Sequence, residues 1–224
     1  DKQDAHSKAL NAALAAAGSV RAAGISASHL QELTERLEAL GDVLPDLSKV
    51  ELDEATLREQ IRANPHVKDK SRADAPRPFR MACIQLCTYD GTVYNVRKVL
   101  EKIGHLCDYV LWDEAWIGYN AFHPLFEGHS PMRLEELPPE SPGLFSTQSV
   151  HKQGAGFSQA SQIHKRDEHL RGQKRFVDHA RFNESFLQHV STSPFYPLFA
   201  SLDVNAKIHE GKGGEMLWDR CIEL

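Results

Sequence analysis

The chain has 224 residues, 41% of them hydrophobic and 25% charged, and carries a formal net charge of −5, enough length for one core or for a domain with an extension. The acidic balance speaks against a nucleic-acid or anionic-membrane footprint. No apolar run approaches the ~20 residues a bilayer span requires, and the first residues lack the basic and apolar regions of a secretory signal, so the sequence reads as that of a cytoplasmic protein.

Residues 1 to about 74 are rich in Ala, Leu, Glu and Arg, with apolar residues at helical spacing. Leu30, Leu33, Leu37 and Leu40 recur every three or four positions and would share one helix face. Asp53, followed by Ala55, Leu57 and Ile61, reads as the cap of a helix that ends before Pro65. Asn64 to Pro78, with three prolines and many charges, looks like a surface connection. Phe79 to Leu86 is then a short apolar run. Thr88 to Thr92 forms a turn, and Asn95 can cap a helix running to about His105. Tyr109 to Trp112 is a second apolar run that stops at Asp113. Strand, turn, helix and strand in this order predict a βαβ unit and a parallel sheet.

Ligand-binding residues in such sheets sit at the carboxyl ends of strands. Asp113 and Thr147-Gln148-Ser149 each follow a strand-like run, which places both at that edge. An aspartate there is either a cap for the following turn or a functional carboxylate. The string V-L-W-D-E-A-W also resembles the metal-binding strand of a nucleotide hydrolase. That function requires an upstream G-x-x-x-x-G-K-[ST] loop, which the sequence lacks.

Lys152 lies between Ser149, His151 and the stretch Gly154-Ala155-Gly156. Hydroxyl and imidazole can both hydrogen-bond an anion such as phosphate, and the glycines allow backbone to come close to a ligand. An unprotonated lysine amine held against a carbonyl cofactor forms a Schiff base with it. The four cysteines, Cys83, Cys87, Cys107 and Cys221, are too scattered for a disulfide framework or a zinc site, and Cys83 and Cys87 read as small core or face residues. The acidic stretch Arg133 to Glu140 reads as a solvated loop, and His164, His169 and His179 as part of an exposed connection. Phe195, Tyr196 and Phe199 read as helix core or dimer interface.

Several strings together resemble the ornithine/lysine/arginine decarboxylase family. They are T-Y-D-G-T-V-Y-N from Thr88, D-E-A-W from Asp113, T-Q-S-V-H-K from Thr147 and F-S-Q-A-S-Q-I-H-K from Phe157, with H-V-S-T-S-P-F-Y-P-L-F-A-S-L-D-V-N-A-K-I-H-E-G from His189. The similarity runs from about Ala75 to the end and is nearest the ornithine branch. It implies an α/β fold, a partial aspartate-aminotransferase-like large domain over residues 75–224, with a mostly parallel sheet and flanking helices. A helical N-terminal segment, residues 1–74, would precede it.

The same resemblance implies pyridoxal 5'-phosphate as cofactor and a basic amino acid, ornithine above all, as substrate. Lys152 would hold the cofactor. Asp113 would bind the pyridine nitrogen, Ala115 would pack on the ring and Trp116 would line the pocket. Ser149 and His151 would contact the phosphate or the reacting centre, with His151 as a proton donor. Ser191 would reach a phosphate across the interface of a homodimer or higher homo-oligomer. The start, D-K-Q-D-A-H-S-K, weakly matches the family segment with the ring-stacking histidine, which would be His6. No Ser/Thr-rich phosphate loop precedes Thr88, and the chain has no room for the family's smaller C-terminal domain. These departures make the chain a portion of the enzyme, a truncated product, or a non-catalytic relative acting as a binding or pseudo-subunit.

Overall fold

A computed structural model describes residues 52–222 of the chain. His6 and the leucines at 30, 33, 37 and 40 lie outside the described residues. Leu52–Glu215 form one compact unit. Helix α1 (Glu54–Ala63) opens it, with the Asp53 carboxylate accepting from the Thr56 amide at 3.1 Å as the N-cap. The Arg58 guanidinium donates to the carbonyls of Ala73 (2.6 Å) and Ala75 (2.8 Å), which ties α1 to the connection that follows.

A four-stranded sheet in the order β1 (Phe79–Gln85), β2 (Cys107–Asp113), β3 (Gly143–Gln148), β4 (Gln162–Arg166) forms the centre. The first three strands are parallel and β4 runs antiparallel to β3. Helix α2 (Val96–Ile103) makes the crossover from β1 to β2, and the Asn95 side chain accepts from the Lys98 amide at 3.0 Å. The predicted βαβ unit is therefore present, with its helix ending two residues before His105. One departure concerns the run after Phe157. His164 is not in an exposed connection but on β4, half-buried, because β3 offers β4 a partner ladder.

One sheet face carries Val110, Trp112 and Leu144, which pack with Leu86, Val96, Leu106 and Ile117 into a buried cluster under α2. On the other face the Tyr109 ring stacks on Phe145, which stacks in turn on Phe182 of helix α4 (His179–Leu187). The Tyr109 hydroxyl donates to Asp167 (2.9 Å) and accepts from the Val177 amide (3.0 Å). Burial and the Asp167 carboxylate raise its pKa far above the usual phenol value. Of the two cysteines read as core or face residues, Cys87 is buried and Cys83 is exposed. Burial pushes the Cys107 thiol up to about 11, which keeps it an inert core group.

A short helix α3 (Val150–Gln153) follows β3, and α5 (Tyr196–Ile208) and α6 (Gly213–Ile222) end the described chain. No helix among the described residues is long and apolar enough to cross a membrane.

Candidate active site

The register of the sheet aligns three strand ends: Gln85 lies beside Asp113, and Asp113 beside Thr147. Asp113 is the last residue of β2 and is exposed, as a carboxylate at the carboxyl edge of a parallel sheet should be. Its Oδ1 accepts from the Ala115 amide at 2.9 Å, so the chain turns under the carboxylate and holds its direction. A cleft of about 1080 Å³ opens beside this edge, and Asp113, Ala115, Ser149 and Ser191 all line it. Asp113, Ala115 and Ser149 thus meet at one cavity, and Ser191, expected to act across a dimer interface, lines the cavity of its own chain.

Three others stand beside the cleft rather than in its wall. The Lys152 Nζ sits 4.3 Å from the centroid of the Trp116 ring, and Trp116 meets Tyr89 edge-on with centroids 5.4 Å apart. This is a cation–π contact on the loop that Asp113 begins. Trp116 lies three residues past Asp113 in the chain. His151 Nδ1 lies 2.9 Å from the Ala160 carbonyl, which can only accept. Nδ1 therefore carries the proton, and Nε2 is the basic atom of the neutral ring.

Gly154 and Gly156 have a different reason from the one their spacing suggests. A Cβ on Gly154 would lie 2.7 Å from Asn205 Oδ1, and one on Gly156 would lie 2.9 Å from Val150 Cγ1. The glycines let the chain press against α5 and α3. Asn205 Oδ1 accepts from the Ala155 amide (2.8 Å) and Ser201 Oγ from the Phe157 amide (3.0 Å). Both are buried on α5 and fix the loop that leaves Lys152. Polar residues four apart in an apolar helix were the available sign, and sequence reading passed over them. Phe195 and Phe199, expected in a core or a dimer interface, line the cleft with 61% and 55% of their surface exposed.

Glu114 was also missed. It is 0% exposed, and its carboxylate accepts from Asn120 Nδ2 (2.9 Å), Gln148 Nε2 (2.8 Å) and the Ser146 hydroxyl. Desolvation outweighs these three bonds and raises its pKa above the ordinary glutamate value.

Residues 19–224 match the family described as Orn/Lys/Arg decarboxylase, major domain. The chain belongs to this family. It is 60% identical over 172 residues to the constitutive ornithine decarboxylase of Escherichia coli (strain K12), covering 77% of this chain and 24% of that protein. It is 61% identical over 148 residues to the ornithine decarboxylase of Haemophilus influenzae, covering 66% of this chain and 20% of that one. The crystal structure of the Francisella novicida lysine decarboxylase superposes with a TM-score of 0.59 at 32% identity, over 74% of this chain and 20% of the other. The chain thus spans a quarter or less of the length of these relatives.

Proposed function

We propose that the chain supplies the cofactor-binding edge of a pyridoxal-phosphate-dependent decarboxylase that converts ornithine to putrescine and carbon dioxide. One observation carries this reading. Asp113, Ala115, Ser149 and Ser191 share a cleft, while the Lys152 amine rests on Trp116, three residues past Asp113. A carboxylate, a small side chain, two hydroxyls and a neighbouring amine are the donor set a pyridoxal phosphate requires, so the residues fit it.

Asp113 would hold the pyridine nitrogen protonated, because a neighbouring negative charge favours the charged form. Ala115 leaves room for a flat ring, and the Ser149 and Ser191 hydroxyls can donate to phosphate oxygens. The bound cofactor would supply an electron sink for the carbanion left when carbon dioxide departs. His151, with its Nδ1 bonded to the Ala160 carbonyl, offers Nε2 as the atom that would pass a proton to the reacting centre. The ornithine choice is supported by about 60% identity to two ornithine decarboxylases against 32% to a lysine decarboxylase.

Turnover of ornithine, lysine and arginine by the protein expressed from its own gene tests the reading. Ornithine should be preferred by about tenfold or more in kcat/KM, a difference of about 1.4 kcal/mol in transition-state binding. Equal rates on all three would remove the substrate choice. Absence of a visible band from lysine-bound pyridoxal would remove the cofactor.

A further inference from the structure

Glu114 is the residue next to Asp113; it is wholly buried and does not line the cleft, though its partner Gln148 does. Its backbone amide donates to the Thr147 carbonyl at 2.8 Å, which continues the β2–β3 ladder one residue past the strand. Its side chain then grips two further residues of β3, Ser146 and Gln148. A third bond, from Asn120, fastens the loop beyond Trp116. Gln148 passes the network onward: its Oε1 accepts from Gln162 Nε2 at 2.8 Å and lies 3.1 Å from His164 Nε2.

One carboxyl therefore joins the ends of β2 and β3 and, through Gln148, the start of β4. Those ends are where Asp113 and Ser149 enter the cleft. Burying such a group is expensive, and it is tolerated here because three buried donors, on Asn120, Ser146 and Gln148, are satisfied by it. Its presence calls for a role that an apolar residue would not fill. A hydrogen-bonded clamp has that property, because its directionality sets the relative position of two strand ends to a fraction of an ångström, which dispersion contacts do not.

We propose that Glu114 is a positioning residue of the cofactor cleft: its buried carboxyl locks the end of β2 to the end of β3 and so fixes how Asp113 and the Ser149–Lys152 turn meet a pyridoxal ring. The inference rests on the pyridoxal reading, and its test separates the two. Glu114→Leu, Glu114→Gln and Ser146→Ala are made in the protein expressed from its own gene. Each is read by melting temperature, pyridoxal-phosphate Kd, the visible spectrum of the bound cofactor, and hydrogen exchange at the Ala115 and Ser149 amides without cofactor.

Glu114→Leu should weaken cofactor binding by about tenfold or more and shift the visible band while leaving the fold intact, because a displacement of ~1 Å is costly at a reacting centre. Glu114→Gln, which keeps part of the hydrogen bonding, should restore most of the affinity. A folded Glu114→Leu protein with wild-type Kd, spectrum and exchange rates would overturn the proposal. Should that variant fail to fold, Ser146→Ala carries the test, since Ser146 is buried on the far face from Asp113. It should weaken binding by about threefold and add nothing further in the Glu114→Gln background, as groups in one network couple. Wild-type binding in Ser146→Ala would overturn the clamp. If the wild-type protein itself binds no pyridoxal phosphate, the cofactor reading fails, and the exchange rates alone then judge the clamp. About tenfold faster exchange at Ala115 and Ser149, with β1 unchanged, supports it, and equal rates overturn it.

Discussion

Asp113 and Glu114 are adjacent carboxylates with opposite surroundings, and each has a measurable consequence. Asp113 is exposed at the cleft with its Oδ1 held by the Ala115 amide. Its proposed charge acts on the cofactor ring more than on substrate binding, so Asp113→Ala should lower kcat on the order of 100-fold or more with little change in KM, as steady-state kinetics would read. Equal losses in kcat and binding would contradict that role. Glu114 is raised above its ordinary 4.5 by burial. The folded state thus prefers the protonated acid, a stabilisation complete below pH 4.5 and lost as pH rises through the folded-state value. Urea unfolding of wild type against Glu114→Gln should show the wild type losing ground steadily from pH 4.5 upward, whereas a flat difference would refute the shift. His164 runs the other way. Burial lowers it from 6.5, so its contribution is present above that pH and fades as pH falls, and His164→Gln should flatten the acid limb. Asp113 was legible because it ends an apolar run. Glu114 was not, because a burial of 0% depends on Ser146, Asn120 and Gln148 arriving from elsewhere in the chain.

At the scale of elements, β1, α2 and β2 were legible from periodicity and from the Asn95 cap, all of which are local signals. Asn95→Ala should cost about 1 kcal/mol in chemical unfolding, the usual worth of an N-cap. Strand β4 was not legible, since Q-I-H-K-R has no apolar run, and every one of its residues is half-buried. It is a strand because β3 pairs with it from Leu144 to Gln148, a tertiary override of weak local preference. Gly143, at the start of β3, shows how closely the sheet is packed: a methyl group there would overlap the Tyr109 ring on the neighbouring strand. Gly143→Ala should therefore destabilise by about 1–3 kcal/mol in the same assay, with the Tyr109–Phe145–Phe182 stack displaced. Unchanged stability would mean that this stack yields at no cost. The Gly154–Gly156 stretch teaches the complementary lesson, as its composition matched a ligand loop while its contacts are with Asn205 and Val150.

For the whole molecule, the family strings implied a mostly parallel sheet with flanking helices, and the described residues have three parallel strands with one antiparallel strand beside β3. Phe195, Tyr196 and Phe199 are 55–75% exposed on and beside α5. The chain spans 24% of the length of the E. coli constitutive ornithine decarboxylase and 20% of the Haemophilus protein. The proposal is local: the Lys152 amine, which rests on Trp116, would take hold of a pyridoxal phosphate whose ring Asp113 would receive. Borohydride reduction of the cofactor-loaded protein, followed by peptide mass spectrometry, tests it most directly. The phosphopyridoxyl group should be found on Lys152 and on no other lysine, and should be absent from Lys152→Ala. Its appearance on Lys165, or its persistence in Lys152→Ala, would contradict the account.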